Sequence, residues 1–187
     1  MEHLGYRTPT LLVEALATAL PAPTATLDIL DAGCGTGLCA PLLRPYARYL
    51  AGVDLSAGML AKATGRKVYD DLIQAELTDF LDQQSDAFDI IASADTLCYF
   101  GALEPVFKAA ACALKSDGFL AFTLEDAEDE TKSFQLNPHG RYAHSRSYVR
   151  GILETAGLGI HSISSAILRK ENGLPVSGQI VIARKRR

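Results

Sequence analysis

The sequence predicts an α/β domain with a doubly wound, seven-stranded sheet that is mostly parallel and has an antiparallel C-terminal strand. Two observations carry this prediction. Strand-like apolar segments alternate with helix-like segments along most of the chain, which is typical of parallel sheets covered by helices on both faces. The last two strand-like segments, 159–168 and 179–183, have no helix between them, so we expect them to pair as a hairpin.

Length and composition predict a single globular domain over residues 1–187. Hydrophobic residues make up 48% of the chain and charged residues 21%, and neither a repeat nor a linker-like stretch divides it. The longest apolar runs fall far short of the ~20 residues that a membrane span requires. The N-terminus does not resemble a signal peptide, so we expect a cytoplasmic protein that does not associate with membranes.

The N-terminal half begins with a helix and continues with alternating strands and helices. Thr8 is expected to cap the first helix, with Pro9 at its first position. A first strand over 27–32 leads into a glycine cluster, and a helix from about 38 to 48 is expected to follow. The other elements are a strand, a helix capped by Ser56, a short strand and a helix, over 49–54, 57–64, 72–75 and 77–83.

The C-terminal half repeats this alternation once more before the final hairpin. A strand, a helix and a strand are expected over 88–93, 103–114 and 119–124. An irregular stretch then extends to about 145, and a helix over 148–156 ends at Gly157. The turn-rich segment 171–175 is expected to join the two strands of the hairpin.

The glycine cluster after the first strand is the strongest indication of a ligand site. Gly33, Gly35 and Gly37 form a GxGxG pattern, and Asp31 lies two residues before it. Glycines allow a tight turn and a close approach of a ligand to the backbone, and the helix that follows is expected to present unpaired N–H groups. The fingerprint of dinucleotide-binding sites, GxGxxG, would place its third glycine at position 38, where this chain has Leu38. The spacing therefore argues against a dinucleotide site.

Two acids lie at the ends of the next strands, on the same edge of the predicted sheet. Asp54 ends the second strand, where a carboxylate can accept both hydroxyls of a ribose, and as a rim acid it is expected to contribute little to stability. Glu76 follows the third strand, where it can accept from an exocyclic amine, although acids at helix starts are also common for electrostatic reasons.

These segments resemble the characteristic motifs of the class I S-adenosylmethionine-dependent methyltransferases. The similarity lies in four stretches, 30–37, 52–60, 75–77 and 88–95, and extends over roughly 27–124. The resemblance implies a Rossmann-like methyltransferase fold, S-adenosylmethionine as cofactor and transferase activity. More narrowly, the chain is similar to the methyltransferase domains that follow tetratricopeptide repeats in some bacterial proteins, although it contains no such repeat.

The resemblance also implies a set of cofactor-binding residues. Gly33 and Gly35 would contact the methionine portion, Asp54 the ribose, and Glu76, where many relatives carry Asp, the edge of the adenine. Leu55 and Met59 would pack against the adenine, the Leu77 backbone would read its edge, and Ala94 would help to position the amino-acid end. Tyr6 precedes the first helix, where it can either cover the cofactor or pack against that helix as a hydrophobic staple. The predicted cofactor-binding residues are Tyr6, Asp31, Gly33, Gly35, Gly37, Asp54, Leu55, Met59, Glu76, Leu77 and Ala94.

The acceptor is expected to be a small molecule. The formal charge of −4 disfavours nucleic acid as a partner. The motifs typical of DNA-amino and base-carbon methylation, an Asp/Asn-Pro-Pro-Tyr segment and a Pro-Cys nucleophile, do not occur. Tyr99 and His144 are the candidate catalytic residues, because they follow the fourth and fifth strands and a histidine can accept a proton near neutral pH. His144 can equally form the polar edge of a lid.

Three alternative functions remain open at this point. The chain can act on a protein side chain, bind S-adenosylmethionine as a non-catalytic partner subunit, or be an NAD-dependent oxidoreductase, against which the glycine spacing argues. No metal site is expected, because the four cysteines and four histidines do not cluster at the spacings of zinc ligands. The sequence does not indicate the oligomeric state or the acceptor atom.

Overall fold

The structure, a computed structural model, describes residues 6–171 and 173–186, so Asn172 of the predicted turn lies outside the described residues. The helices within these ranges are α1 (Thr8–Ala17), α2 (Ala40–Leu43), α3 (Ala57–Thr64), α4 (Leu77–Asp82), α5 (Glu104–Ala113) and α6 (Arg146–Thr155). The strands are β1 (Leu27–Ala32), β2 (Ala47–Asp54), β3 (Asp71–Gln74), β4 (Phe88–Ser93), β5 (Leu114–Asp126), β6 (Phe134–Leu136), β7 (Tyr142–His144), β8 (Leu158–Glu171) and β9 (Leu174–Lys185).

The sheet has the predicted mostly parallel topology with an antiparallel C-terminal strand. Strands β3, β2, β1, β4 and β5 lie side by side in that order, and each neighbouring pair is parallel. Strand β9 is antiparallel to both β5 and β8, so the last two strands form the expected hairpin. The order reverses between β1 and β4, and in such sheets ligands bind outside the carboxyl ends of the strands at this point.

The expected count of seven strands is wrong, because a second hairpin, β6–β7, brings the sheet to nine strands in the described residues; it lies in a stretch that the sequence predicted to be irregular. Strand β7 pairs in parallel with Glu125 and Asp126 at the end of β5. Strand β9 occupies one side of Glu125, so β7 takes the other side, where β4 ends its pairing at Phe122. The β6–β7 hairpin therefore lies beyond the carboxyl end of β4, next to the expected ligand site.

Apolar side chains fill both faces of the sheet, as expected for a doubly wound fold. On one face, residues of α4, α5 and α6 form a buried cluster with Leu30 of β1. On the other face, residues of α1 and α2 form a second cluster with Ile29. The consecutive residues Ile29 and Leu30 of β1 are buried on opposite faces because side chains alternate along a strand.

Two local expectations are wrong. The helix expected over 38–48 is only the four residues of α2, and β2 already begins at Ala47. Pro45 explains the short helix, because a proline inside a helix removes a hydrogen bond and clashes with the preceding turn. Thr8 does not cap α1, whose N-cap residue is Arg7; the Thr8 hydroxyl instead donates to the Leu168 carbonyl of β8 at 2.8 Å. Ser56 caps α3 as expected.

Candidate active site

A cavity of about 670 Å³ lies at the carboxyl ends of β1, β2 and β4. This volume is within the range of about 300–1,000 Å³ that is usual for small-molecule sites. Most of the residues predicted from the sequence line it: Tyr6, Asp31, Gly33, Gly35, Asp54, Leu55, Met59, Glu76, Leu77, Ala94 and Tyr99. Gly37 and His144 do not line it.

The glycine loop is held in place by the neighbouring strand and by Thr96. The amides of Gly33 and Cys34 both donate to the Val53 carbonyl at 2.9 Å. Gly33 has a φ of +74°, and a Cβ atom there would lie 2.2 Å from the Thr96 Cγ2 atom. Thr96 in turn donates its hydroxyl to the carbonyls of Gly33 and Ala94. Thr96 therefore connects the loop after β1 to the loop after β4.

The other two glycines have different surroundings. At Gly35, φ is +52° and no atom lies within 4 Å of the position that a Cβ would occupy, so the backbone is open toward the cavity. At Gly37, φ is +78° and a Cβ would lie 2.9 Å from the Tyr69 ring. Its placement in the cofactor set is therefore corrected: Gly37 lies outside the cavity lining, and it allows the loop to pack closely against Tyr69.

Asp54 holds the glycine loop as well as lining the cavity. Its Oδ2 atom accepts from the Gly35 amide at 2.8 Å, and its Oδ1 atom accepts from the Ser56 amide at 2.8 Å. These two hydrogen bonds lead us to expect that Asp54 contributes to stability, unlike the rim acid that the sequence suggested. A carboxylate oxygen has two lone pairs, so each of these oxygens can still accept one hydrogen bond from a ligand.

The residues expected around an adenine ring lie next to Asp54. Leu55 and Met59 line the cavity with apolar side chains that are 69% and 41% exposed. Exposed apolar side chains beside a cavity are suited to cover a flat, apolar ligand surface. Glu76 is the N-cap of α4 and accepts from the Asp79 amide at 2.9 Å. Glu76 therefore caps the start of a helix, which is one of the two interpretations of this residue, and it also lines the cavity.

His144 is not in contact with the cavity, which corrects its proposed place among the catalytic residues. Its side chain is fully buried, stacks on Tyr148 and forms a hydrogen bond between Nε2 and the Gly101 carbonyl at 2.9 Å. Because a carbonyl only accepts, Nε2 must carry a proton in this bond. Burial lowers the pKa of His144, which favours the neutral ring. The side chain packs β7 against the loop before α5.

Sequence reasoning missed a charged cluster beside Tyr99 at the cavity. Asp95 lines the cavity with a φ of +55°, and its carboxylate contacts Arg169 at 3.1 Å and Arg141 at 3.7 Å. Burial raises the pKa of Asp95. The guanidinium of Arg141 donates from Nε and Nη2 to the Tyr99 hydroxyl, both at 3.2 Å. The sequence separations are large, so no local pattern indicates this cluster.

Tyr6 lies on the cavity wall rather than only against α1. Burial and the neighbouring Asp95 carboxylate raise its pKa, so its hydroxyl stays protonated at neutral pH. With Asp95 and Tyr99, it contributes two hydroxyl groups and one carboxyl group to the cavity lining.

Comparison with known proteins agrees with this geometry. A family profile described as a methyltransferase domain matches residues 30–122. The human methyltransferase-like protein 27 is 49% identical over 67 residues, which are 35% of this chain and 27% of that protein. The trans-aconitate 2-methyltransferase of Paracidovorax citrulli is 31% identical over 110 residues, 57% of this chain and 42% of that protein.

The chain matches the methyltransferase-domain family over residues 30–122 and has the fold of S-adenosylmethionine-dependent methyltransferases. Among solved structures, the magnesium protoporphyrin IX methyltransferase of Synechocystis with bound S-adenosylmethionine superposes with a TM-score of 0.70. That likeness covers 96% of this chain and 78% of that chain at 20% identity, so it concerns the fold. The chain spans less than half of the length of the two curated relatives described above.

The charge of the cavity suits a cationic cofactor. Four of the described lining residues are acids, namely Asp31, Asp54, Glu76 and Asp95, and none of the described lining residues is lysine or arginine. A sulfonium cofactor carries positive charge into such a site, whereas the pyrophosphate of NAD would bring negative charge close to carboxylates without a cation to balance it. The residues present therefore fit S-adenosylmethionine better than a dinucleotide.

Asp31 is expected to make the stability of the fold dependent on pH. Its carboxyl group is buried and accepts from the Tyr69 hydroxyl at 2.6 Å. Burial raises its pKa from 3.8 to about 7, and the Asp54 carboxylate adds to the increase. Between these two values the folded chain binds a proton that the unfolded chain releases, so the free energy of unfolding falls as the pH rises through this window.

We therefore expect Asp31→Asn to remove this pH dependence, because asparagine cannot ionise but can still accept from Tyr69. The difference in unfolding free energy between variant and wild type should grow in favour of the variant from pH 4 to pH 7, by on the order of 4 kcal/mol. Urea unfolding at several pH values measures this difference. Parallel pH profiles for the two proteins would show that Asp31 does not titrate in this range.

Proposed function

We propose that this chain transfers the methyl group of S-adenosylmethionine to a small-molecule acceptor. One observation carries the proposal: the cavity at the glycine loop is lined by four carboxylates and, among its described residues, by no lysine or arginine. Such a lining attracts a cationic cofactor and disfavours the anionic dinucleotides that use similar sheets.

The cavity residues divide into groups that would hold different parts of the cofactor. Asp54 would accept from the ribose hydroxyls with its remaining lone pairs. Leu55 and Met59 would cover the adenine, and Glu76 with the Leu77 backbone would recognise its edge. The open backbone at Gly35, together with Gly33, Ala94 and Asp31, would receive the methionine portion. Tyr6 would cover the carboxylate of that portion.

The acceptor side requires mainly alignment. When bound, S-adenosylmethionine supplies an electrophilic methyl group, whose bond to sulfur breaks as an electron pair of the acceptor atom forms the new bond. Alignment of two reacting groups can supply much of the rate enhancement of such a displacement. Tyr99 lines the cavity on this side and would orient the acceptor. Because His144 is buried outside the cavity, it would not remove a proton from the acceptor. A residue of the cavity would remove that proton, or the acceptor would react in its ionised form.

A small-molecule acceptor has support from a relative and from the cavity itself. The bacterial relative is a trans-aconitate 2-methyltransferase, and trans-aconitate is a small molecule. The cavity volume is of the size that small ligands fill. A protein side chain as acceptor and a non-catalytic cofactor-binding subunit are the alternatives to be tested, as is the relation to domains that follow tetratricopeptide repeats.

The test is a binding experiment followed by an untargeted search for the acceptor. Calorimetry should detect binding of S-adenosylmethionine and S-adenosylhomocysteine, and none of NAD. Incubation with methyl-labelled S-adenosylmethionine and a cell extract should then transfer label to molecules that pass a small-pore ultrafiltration membrane. Label retained on proteins would favour a protein acceptor. Binding without any transfer would favour the non-catalytic subunit, and tight binding of NAD alone would overturn the assignment.

A further inference from the structure

Arg141 occupies a fixed position beside the acceptor side of the cavity. It follows the turn of the β6–β7 hairpin, where its carbonyl accepts from the Asn137 amide at 2.8 Å. Its guanidinium lies 5.4 Å from the centre of the Tyr99 ring and donates two hydrogen bonds to the Tyr99 hydroxyl. Tyr99 lines the cavity and is 59% exposed. Arg141 is therefore held next to a side chain that a ligand in the cavity can touch.

The neighbouring carboxylates bond to a different cation, Arg169. Its guanidinium contacts Asp95 and Glu171 at 3.1 Å and also contacts Glu125. Arg141 stands farther from them, at 3.7 Å from Asp95 and 3.6 Å from Glu171, beyond hydrogen-bond distance. Among the residues that the structure describes, no hydrogen bond involves the Nη1 atom of Arg141. Nη1 is the atom that lies 3.6 Å from Glu171, and because it makes no hydrogen bond there, its N–H groups can bond to an anionic partner.

The groups that a ligand would meet here are hydrogen-bond donors. The Tyr99 oxygen already accepts two hydrogen bonds from Arg141, so its own proton is free to be donated to a ligand. Asp95, the nearest carboxylate, lies between the guanidinium groups of Arg141 and Arg169, and Arg169 also pairs with Glu125 and Glu171. His139 contacts Glu125 at 3.6 Å and Glu171 at 4.0 Å on the far side of these acids. A planar guanidinium beside a hydroxyl donor is suited to a carboxylate.

We propose that Arg141 and Tyr99 bind a carboxylate group of the methyl acceptor. This inference rests on the proposed function and adds the chemical class of the acceptor. A carboxylate is ionised at neutral pH, and Arg141 would hold it while the reacting atom faces the cofactor. The acidic lining of the rest of the cavity would then keep the cofactor and the anionic acceptor in separate parts of the site.

The test measures binding of simple carboxylates to protein saturated with S-adenosylhomocysteine. Succinate and benzoate are the probes, succinamide and benzamide their neutral matches, and benzylamine a cationic alternative. We expect both carboxylates to bind more tightly than their amides. Arg141→Gln should weaken carboxylate binding about tenfold or more, because charge-assisted hydrogen bonds are lost. Tyr99→Phe, which changes a more exposed side chain, should weaken it less but measurably.

The matched control is Arg48→Gln, the same change at a guanidinium that is 67% exposed near the opposite end of β2. It should leave both carboxylate and S-adenosylhomocysteine binding unchanged. Carboxylates that bind no better than amides, tighter binding of benzylamine, or equal affinities in the wild type and both site variants would overturn the inference. If S-adenosylhomocysteine itself does not bind, the proposed function fails; if it binds and the carboxylates do not, only the acceptor class fails.

Discussion

Gly33→Ala is expected to reduce the affinity for S-adenosylhomocysteine by at least about a hundredfold, or about 2.8 kcal/mol. The new methyl group would lie 2.2 Å from Cγ2 and 2.3 Å from Oγ1 of Thr96. Favourable contacts between such atoms require about 3.5–4.0 Å, so Thr96 would have to move. Because Thr96 bonds to the carbonyls of Gly33 and Ala94, its displacement would disturb two walls of the cavity at once.

The same substitution should also destabilise the fold by about 2–5 kcal/mol, since it combines left-handed backbone strain with overpacking. Gly140→Ala is the matched control: its φ is +85°, but no atom lies within 4 Å of the new Cβ position. It should share only the backbone strain and leave cofactor binding unchanged. Urea unfolding and calorimetry measure both quantities. A Gly33→Ala protein that binds S-adenosylhomocysteine like the wild type would contradict the placement of this loop against the cofactor.

Asp54→Ala is expected to reduce the affinity for S-adenosylhomocysteine by roughly one to three orders of magnitude. Charge-assisted hydrogen bonds to the ribose contribute about 1.5–3 kcal/mol each, and about 1.4 kcal/mol corresponds to a tenfold change. The amides of Gly35 and Ser56 lose their acceptor in this variant, so a loss of about 1–3 kcal/mol in stability should accompany the loss of affinity. Asp54→Asn keeps one carbonyl oxygen as acceptor and should be affected less.

The control for Asp54 is Asp82→Ala, at an exposed acid that ends α4, which should change stability by no more than about 0.5 kcal/mol. Calorimetry with S-adenosylhomocysteine, with NAD as a competitor, measures the affinity. Undiminished affinity in a folded Asp54→Ala protein would remove this residue from the cofactor site. It would leave the fold class untouched, because the strand order does not depend on this side chain.

The predicted cofactor residues come together because they share one kind of position. Asp31, Asp54 and Glu76 each lie at or just after the carboxyl end of a strand, and in a parallel sheet those ends meet along one edge. A contiguous motif at such a position can be recognised without knowledge of the rest of the chain. Gly37 is the exception, because whether the loop turns its third glycine toward the cavity or toward Tyr69 depends on a side chain 32 residues away.

The sequence by itself determined the α/β class, the antiparallel C-terminal strand and most of the cavity lining, since these follow from local periodicity and from short motifs at strand ends. Only the tertiary structure determined which charged side chains lie beside Tyr99 at the cavity. It buried His144 against Gly101 and brought Asp95, Arg141 and Arg169 together. Arg169 and Asp95 are 74 positions apart, and Arg141 and Tyr99 are 42 positions apart. Such contacts arise from how β6–β7 and β8–β9 pack on the sheet, and that packing depends on the whole chain rather than on any one segment.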